Sequence, residues 1–145
     1  FPTRRSSDLK VEEQIKELEK FQKAFKGTYN TKPTLISEQD WKLRLALSQE
    51  ELNEYKEACE NEDLVEVLDS ILDRIFLAIG DAVSHGLQDA IVPGFQEVMR
   101  SNMSKLGLDG KPIINGENGI FDETRPLGKV LKPSHYSEPN LKQFL

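Results

Sequence analysis

The residues with the most chemistry to offer are carboxylates set at helical spacing. Between positions 37 and 60, Leu43, Leu47, Glu50, Glu54 and Ala58 recur at intervals of four, three, four and four, so a line opened by leucines continues through two glutamates. At about 100° per residue, Glu50 and Glu54 lie about 40° apart and Glu51 falls about 60° beyond Glu54 on the same side. In the next stretch Glu66, Asp69 and Asp73 fit within an arc of about 60°, and Leu77 and Gly80 continue that face. Only Asn61, Glu62 and Asp63 separate the two stretches, which therefore run antiparallel and set six carboxylates against one another. Solvated helix surface is the plain alternative for either patch alone; alignment with Leu43, Leu47 and Leu77 argues against it. Such a cluster repels itself by on the order of several kcal/mol unless protons or cations neutralise it. An all-oxygen set without His or Cys points to a hard cation, Mg2+ or Mn2+, rather than zinc.

The remaining candidates surround that cluster in sequence. Arg44, two turns before Glu51, is placed to pair with the acidic patch or to hold a phosphate. Asn102 falls on the apolar face of a later helical stretch, where it either sets a buried register or bonds a substrate or a ligating carboxylate. Lys105 flanks that face within reach of phosphate, with an ordinary solvated lysine as the alternative. Lys111, Lys129 and Tyr136 lie in the C-terminal tail and are candidates for closing over a ligand. Trp41 and Phe25 read as core residues rather than base-stacking platforms. His85 and His135 read as structural, and Cys59 lacks the nearby His or helix N-terminus that an activated thiolate needs. No GxxxxGK[ST] loop and no GxGxxG turn after a strand is present, which excludes the P-loop and Rossmann types of nucleotide site.

The elements that must position these groups are helical. Val11, Ile15, Leu18, Phe21, Ala24 and Phe25 form an apolar stripe over residues 10–26; a second helix follows Ser37 and runs to Glu60; a third covers 64–85 and stops at Gly86; a fourth covers 93–106, with Phe95, Val98, Met99, Asn102 and Leu106 on one face. From residue 107 onward Gly and Pro punctuate short stretches, predicting a tail with a small hairpin between 111–114 and 129–132 rather than a second domain. The expected architecture is all-α, an antiparallel bundle of four to five helices in a single domain over residues 10–145, with the tail at 107–145. Residues 1–9 have no periodicity and resemble the translation of a sequencing adapter, so they are set apart from the fold.

Composition narrows the class. The 145 residues carry 25 acidic against 19 basic side chains, a net charge of -6, which argues against a general nucleic-acid binder. No apolar run approaches the roughly 18 residues that cross a bilayer, and no signal peptide is visible. With a single cysteine, a cytoplasmic, reducing location is expected.

The paired motif Glu50-Glu51-x-x-Glu54 and Glu66-x-x-Asp69 on consecutive helices resembles the EExxE and ExxD signature of the all-α nucleoside triphosphate pyrophosphohydrolases, the superfamily of MazG, dimeric dUTPases and phosphoribosyl-ATP pyrophosphohydrolase. The stretches Arg100-Ser101-Asn102-Met103-Ser104-Lys105-Leu106, Asp109-Gly110-Lys111-Pro112 and Gly128-Lys129-Val130-Leu131-Lys132 are similar to its MazG-like branch, common in bacteria and phages. Lys132-Pro133-Ser134-His135-Tyr136 departs from the Lys-Gly-Pro-Asn-Tyr of that branch. The resemblance implies an Mg2+-dependent cleavage of a nucleoside triphosphate to monophosphate and pyrophosphate by a homodimer or homotetramer. It also implies Glu51, Glu54, Glu66 and Asp69 as metal ligands, Glu50 as a further ligand or the base that orients water, and Asp73 behind them. Two other readings stand beside it: phosphoribosyl-ATP pyrophosphohydrolase of histidine synthesis, and a non-catalytic helical interaction domain with an acidic docking face.

Overall fold

The structure is a computed structural model and describes residues 10–145; the adapter-derived reading of residues 1–9 lies outside the described residues. Four α-helices form: α1 (Val11–Ala24), α2 (Glu38–Glu60), α3 (Leu64–Ser84) and α4 (Ile91–Met103). The predicted all-α class stands. Among the described residues there is no strand, and the expected hairpin in the tail is reduced to two isolated antiparallel bridges, Leu106 to Pro112 and Ile114 to Val130. The described residues fall into two compact units, one ending at Val92 and the other spanning Pro93–Leu145.

The first unit is built on the α2–α3 hairpin, with α1 packed against α3. Ser37 begins α2 by accepting a hydrogen bond from the Asp40 amide at 3.1 Å, and Asp63 begins α3 by accepting from the Val65 and Glu66 amides at 3.1 and 3.2 Å. Both caps satisfy amides that the first helical turn leaves without partners. The link between α2 and α3 is tight because Asp63 N donates to Ala58 O at 3.0 Å while Glu62 takes a left-handed conformation, φ 55°. Ile15 and Leu18 of α1, Ala58 of α2 and Val83 of α3 are the buried apolar residues, and Phe21 meets Phe76 edge-on with ring centroids 5.1 Å apart. Gly86 ends α3 at φ 69°, where any Cβ would lie 2.0 Å from the Lys32 carbonyl oxygen. Only glycine lets the α1–α2 connection cross the end of α3 there. His85 is structural, as expected: its Nδ1 is 2.9 Å from Thr34 O across the same junction.

One sequence inference about α2 is overturned. The line Leu43, Leu47, Glu50 and Glu54 is not the face that packs on α3: Leu43 is 60% exposed, and Glu50 and Glu54 are exposed. The inward face is Arg44, Ser48, Glu51, Tyr55 and Ala58, a mostly polar line at spacings of four, three, four and three. Gly80 on α3 explains how that face is accommodated, since a Cβ at that position would lie 2.6 Å from Arg44 Nη2 and 3.2 Å from Gln22 Oε1. The hydrophobic stripe reading failed because α2 carries its leucines outward, as do Leu68, Ile71, Leu72 and Ile75 on α3. Phe25, 73% exposed, and Trp41 are likewise not core in the single chain.

Helix α4 starts two residues before the predicted Pro93, which is accommodated in the first turn where its missing N–H costs nothing, and from Pro93 on it belongs to the second unit. The face expected to be apolar and covered, Phe95, Met99 and Asn102, is exposed. The tail instead docks on the polar side: Glu97 Oε1 accepts from Asn140 N at 2.8 Å, Arg100 donates to Ser137 Oγ and Glu138 O, and Ser101, almost fully buried, donates to Tyr136 Oη at 3.2 Å. His135 Nε2 lies 2.7 Å from Leu106 O, a second structural histidine.

Candidate metal centre

Glu51 is the centre of the acidic cluster. It sits on the inward face of α2, and its Oε2 is buried without a hydrogen-bond partner. Burial raises its pKa above the ordinary 4.5, and the charges of Glu54, Asp73, Glu50 and Asp69 raise it further, in that order. Each effect disfavours the carboxylate form. Four of the other five predicted carboxylates, from both helices of the hairpin, therefore act on Glu51. Glu66, which is exposed, lines a cleft at the turn together with Glu54, Glu57 and Asp63. The helical line from Leu43 through Glu50 and Glu54 runs one residue away from Glu51, which lies on the inward face.

Among the described residues, no three Asp, Glu, His or Cys side chains close on a common point as a ready metal cage. The donor chemistry nevertheless fits a hard divalent cation, because the groups present are carboxylates only and the buried Glu51 Oε2 has no donor to satisfy it. A cation is the group that would both partner that oxygen and relieve the repulsion around it.

The flanking candidates separate. Arg44 pairs with Asp81 through Nε and donates from Nη2 to Leu77 O at 3.0 Å, so its guanidinium is held one to two turns beyond the acidic residues of α3. Lys105 donates to Asn102 Oδ1 at 2.7 Å, which makes Asn102 an exposed partner of that lysine in this unit. Lys111 belongs to the turn 107–111, where its amide donates to Asp109 Oδ1. Lys105 and Lys129 line one cleft of the second unit, and Tyr136 supports Lys132, whose Nζ is 4.3 Å from the ring centroid. Sequence reasoning overlooked Asn115, which is 1% exposed and organises the tail, and Arg125 beside that cleft. An Asn followed directly by Gly is a turn signal, yet it does not say that the Asn side chain will be buried.

The described chain is all-helical, with carboxylates brought together from both helices of an α-hairpin. The chain belongs to the phosphoribosyl-ATP pyrophosphohydrolase family, whose match covers residues 18–102 and so takes in every residue of the acidic cluster. The family indicates a pyrophosphohydrolase enzyme, and its members generally use a divalent metal. A search of the curated proteins finds no match. Among the described residues, no helix is long and apolar enough to cross a membrane.

Proposed function

We propose that the protein is an Mg2+-dependent pyrophosphohydrolase that converts a (deoxy)nucleoside triphosphate and water to the monophosphate and pyrophosphate, in nucleotide-pool control or phage nucleotide metabolism. The observation that carries this reading is the unpartnered, buried Oε2 of Glu51 at the focus of Glu50, Glu54, Asp69 and Asp73. Glu51, Glu54, Glu66 and Asp69 would hold the cation, with Mn2+ an acceptable substitute. When bound, it supplies positive charge to the triphosphate oxygens. Glu50, exposed beside Glu51, accepts a proton from water as the new oxygen–phosphorus bond forms and the bond to the departing pyrophosphate breaks. Asp73, half-buried one turn from Asp69, orients the carboxylates in front of it.

A homodimer or homotetramer suits this reading. Leu52, Ile71 and Ile75 border an outward groove on the α2–α3 hairpin, and the apolar surface there exceeds what the single chain covers.

The family match favours one second reading, with phosphoribosyl-ATP as the nucleotide. A pyrophosphate-release screen against NTPs, dNTPs, dUTP and phosphoribosyl-ATP, with Mg2+, Mn2+ or EDTA, tests both. Metal-dependent release that disappears in Glu54→Ala and Asp69→Ala, with their helical spectra retained, is the expected result. A folded protein that neither binds Mn2+ nor releases pyrophosphate would overturn it in favour of an acidic docking domain.

A further inference from the structure

The second unit differs from the rest of the chain in charge. Residues 93–145 carry seven Lys and Arg against six Asp and Glu, whereas nineteen of the twenty-five acidic residues lie before them. Four of those seven cations border a single cavity of about 470 Å³: Lys105, Arg125, Lys129 and Lys132, with Asp122 the one carboxylate among them. That volume falls in the range of small-molecule sites, roughly 300–1,000 Å³.

The wall of this cavity is built rather than incidental. Asn115 Nδ2 donates to the carbonyl oxygens of Asp122, Arg125 and Pro126 at 3.0, 2.9 and 3.2 Å, and its Oδ1 accepts from Asp122 N at 2.7 Å. Its backbone bonds both ways across the base of the loop, N to Lys129 O and O from Gly128 N, each at 2.9 Å. One buried side chain thus fixes the loop that bears Asp122, Arg125 and Lys129. Leu131 N donates to Ile113 O at 2.7 Å and holds the strand-like segment beneath. The cations themselves are only lightly committed. Asp122 spends Oδ1 on the amide and hydroxyl of Thr124, Lys132 lies over the Tyr136 ring, and Lys105 meets the neutral Asn102 amide. Among the described residues, none of the four makes an ion pair. Four positive groups held around one cavity by a rigid loop repel one another until a multivalent anion enters.

We propose that this cleft binds a condensed phosphate chain through Lys105, Arg125, Lys129 and Lys132 and without a metal ion. The four residues lie beyond residue 102, where the family match ends. The cleft lies wholly within the second unit, and its taking condensed phosphate does not rest on the function proposed above. Its charge suits a polyanion better than a single phosphate, because four cations and one carboxylate border the same cavity.

Calorimetry on the full chain in EDTA tests the assignment, with tripolyphosphate as the probe and sulfate at matched ionic strength as the reference. Tripolyphosphate binds at least about tenfold more tightly than sulfate, and Lys129→Glu and Arg125→Glu each weaken it by about tenfold or more. Lys129→Ala, a milder change, weakens it less and guards against a folding artefact, as does an unchanged circular-dichroism melt. A nucleoside triphosphate with a non-hydrolysable α,β link distinguishes the source: tighter binding than tripolyphosphate identifies a nucleotide's chain, and equal binding identifies the free polyanion. Sulfate-like affinity, or full affinity in both charge reversals, overturns the proposal. So does tighter binding of a single-stranded DNA oligomer that the same variants abolish. Glu54→Gln, altered only in the acidic cluster, keeps the parent's tripolyphosphate affinity, and the parent's own hydrolysis separates the two readings. Tripolyphosphate binding without any metal-dependent hydrolysis leaves the cleft and removes the proposed reaction, whereas hydrolysis without tripolyphosphate binding does the opposite.

Discussion

Replacing Glu51 by Gln should change the stability of the protein in opposite directions with and without a divalent cation. In the metal-free chain Glu51 carries two burdens: a buried oxygen with no partner, and the charges of Glu54, Asp73, Glu50 and Asp69. A buried polar atom left unsatisfied costs about 1–3 kcal/mol. A like-charged neighbour one helical turn away adds about 0.2–0.5 kcal/mol. Gln keeps the shape, removes the charge and brings an NH2 group that carboxylates accept readily. Discounted for the partial exposure of the site, the metal-free variant gains about 1–2 kcal/mol over the parent. That corresponds to a rise in Tm of about 3–8 °C for a chain of this length. The sign with pH follows from the raised pKa. Above the folded-state value the parent holds an unfavourable carboxylate, and as pH falls through that value towards 4.5 the parent takes up its proton and the advantage of Gln fades. With Mn2+ at about one hundred times its Kd, the parent gains about 2.7 kcal/mol and the variant a small fraction of that. Differential scanning fluorimetry of both proteins in EDTA and in Mn2+, at pH 8 and pH 5, covers all four conditions. A variant less stable than the parent in EDTA, with an undiminished response to Mn2+, would refute the assignment of Glu51 as the focus of the cluster.

Arg44→Met removes the pair with Asp81 and the bond to Leu77 O; with Arg44 18% and Asp81 42% exposed, urea unfolding should show a loss of about 1–3 kcal/mol, and a loss below about 0.5 would mean the pair is only superficial. Glu97, held at about 2 by Arg100 and the Asn140 amide, keeps the tail docked above pH 4.5, and that contribution is lost as pH falls through about 2. The Asn140 amide resonance should report this in the parent and stay pH-independent in Glu97→Gln. Asn115→Ala forfeits four side-chain hydrogen bonds, a local cost of about 2–4 kcal/mol, and hydrogen exchange over residues 116–128 should rise while that of α2 and α3 stays level. Ile75→Glu places a charge in the outward groove of the hairpin, so light scattering should find the parent as a dimer or tetramer and the variant as a monomer; a monomeric parent removes the assembly from the proposal.

Local rules settle a good deal of this protein. Apolar spacing, the Ser37 and Asp63 caps and Gly86 determine that residues 11–24, 38–60 and 64–84 are helices and where they stop. The short Asn61-Glu62-Asp63 link determines that α2 and α3 face each other, and with that the meeting of carboxylates from both. The family resemblance is carried by these same residues. Which glutamate is buried was decided elsewhere. Helical periodicity assigns the inward face by hydrophobicity, and that rule fails when a helix presents leucines outward and a polar line inward. Gly80 opens the space, Arg44 fills it against Asp81 and Gln22, and Glu51 follows one helical line further along. The tail shows the same division more sharply. Its glycines and prolines announce turns, but the cleft of Lys105, Arg125, Lys129 and Lys132 exists because Asn115 gathers three carbonyls and an amide up to eleven residues away. Spacing along the chain records which bonds a residue can make; only the folded backbone decides which partners come within reach.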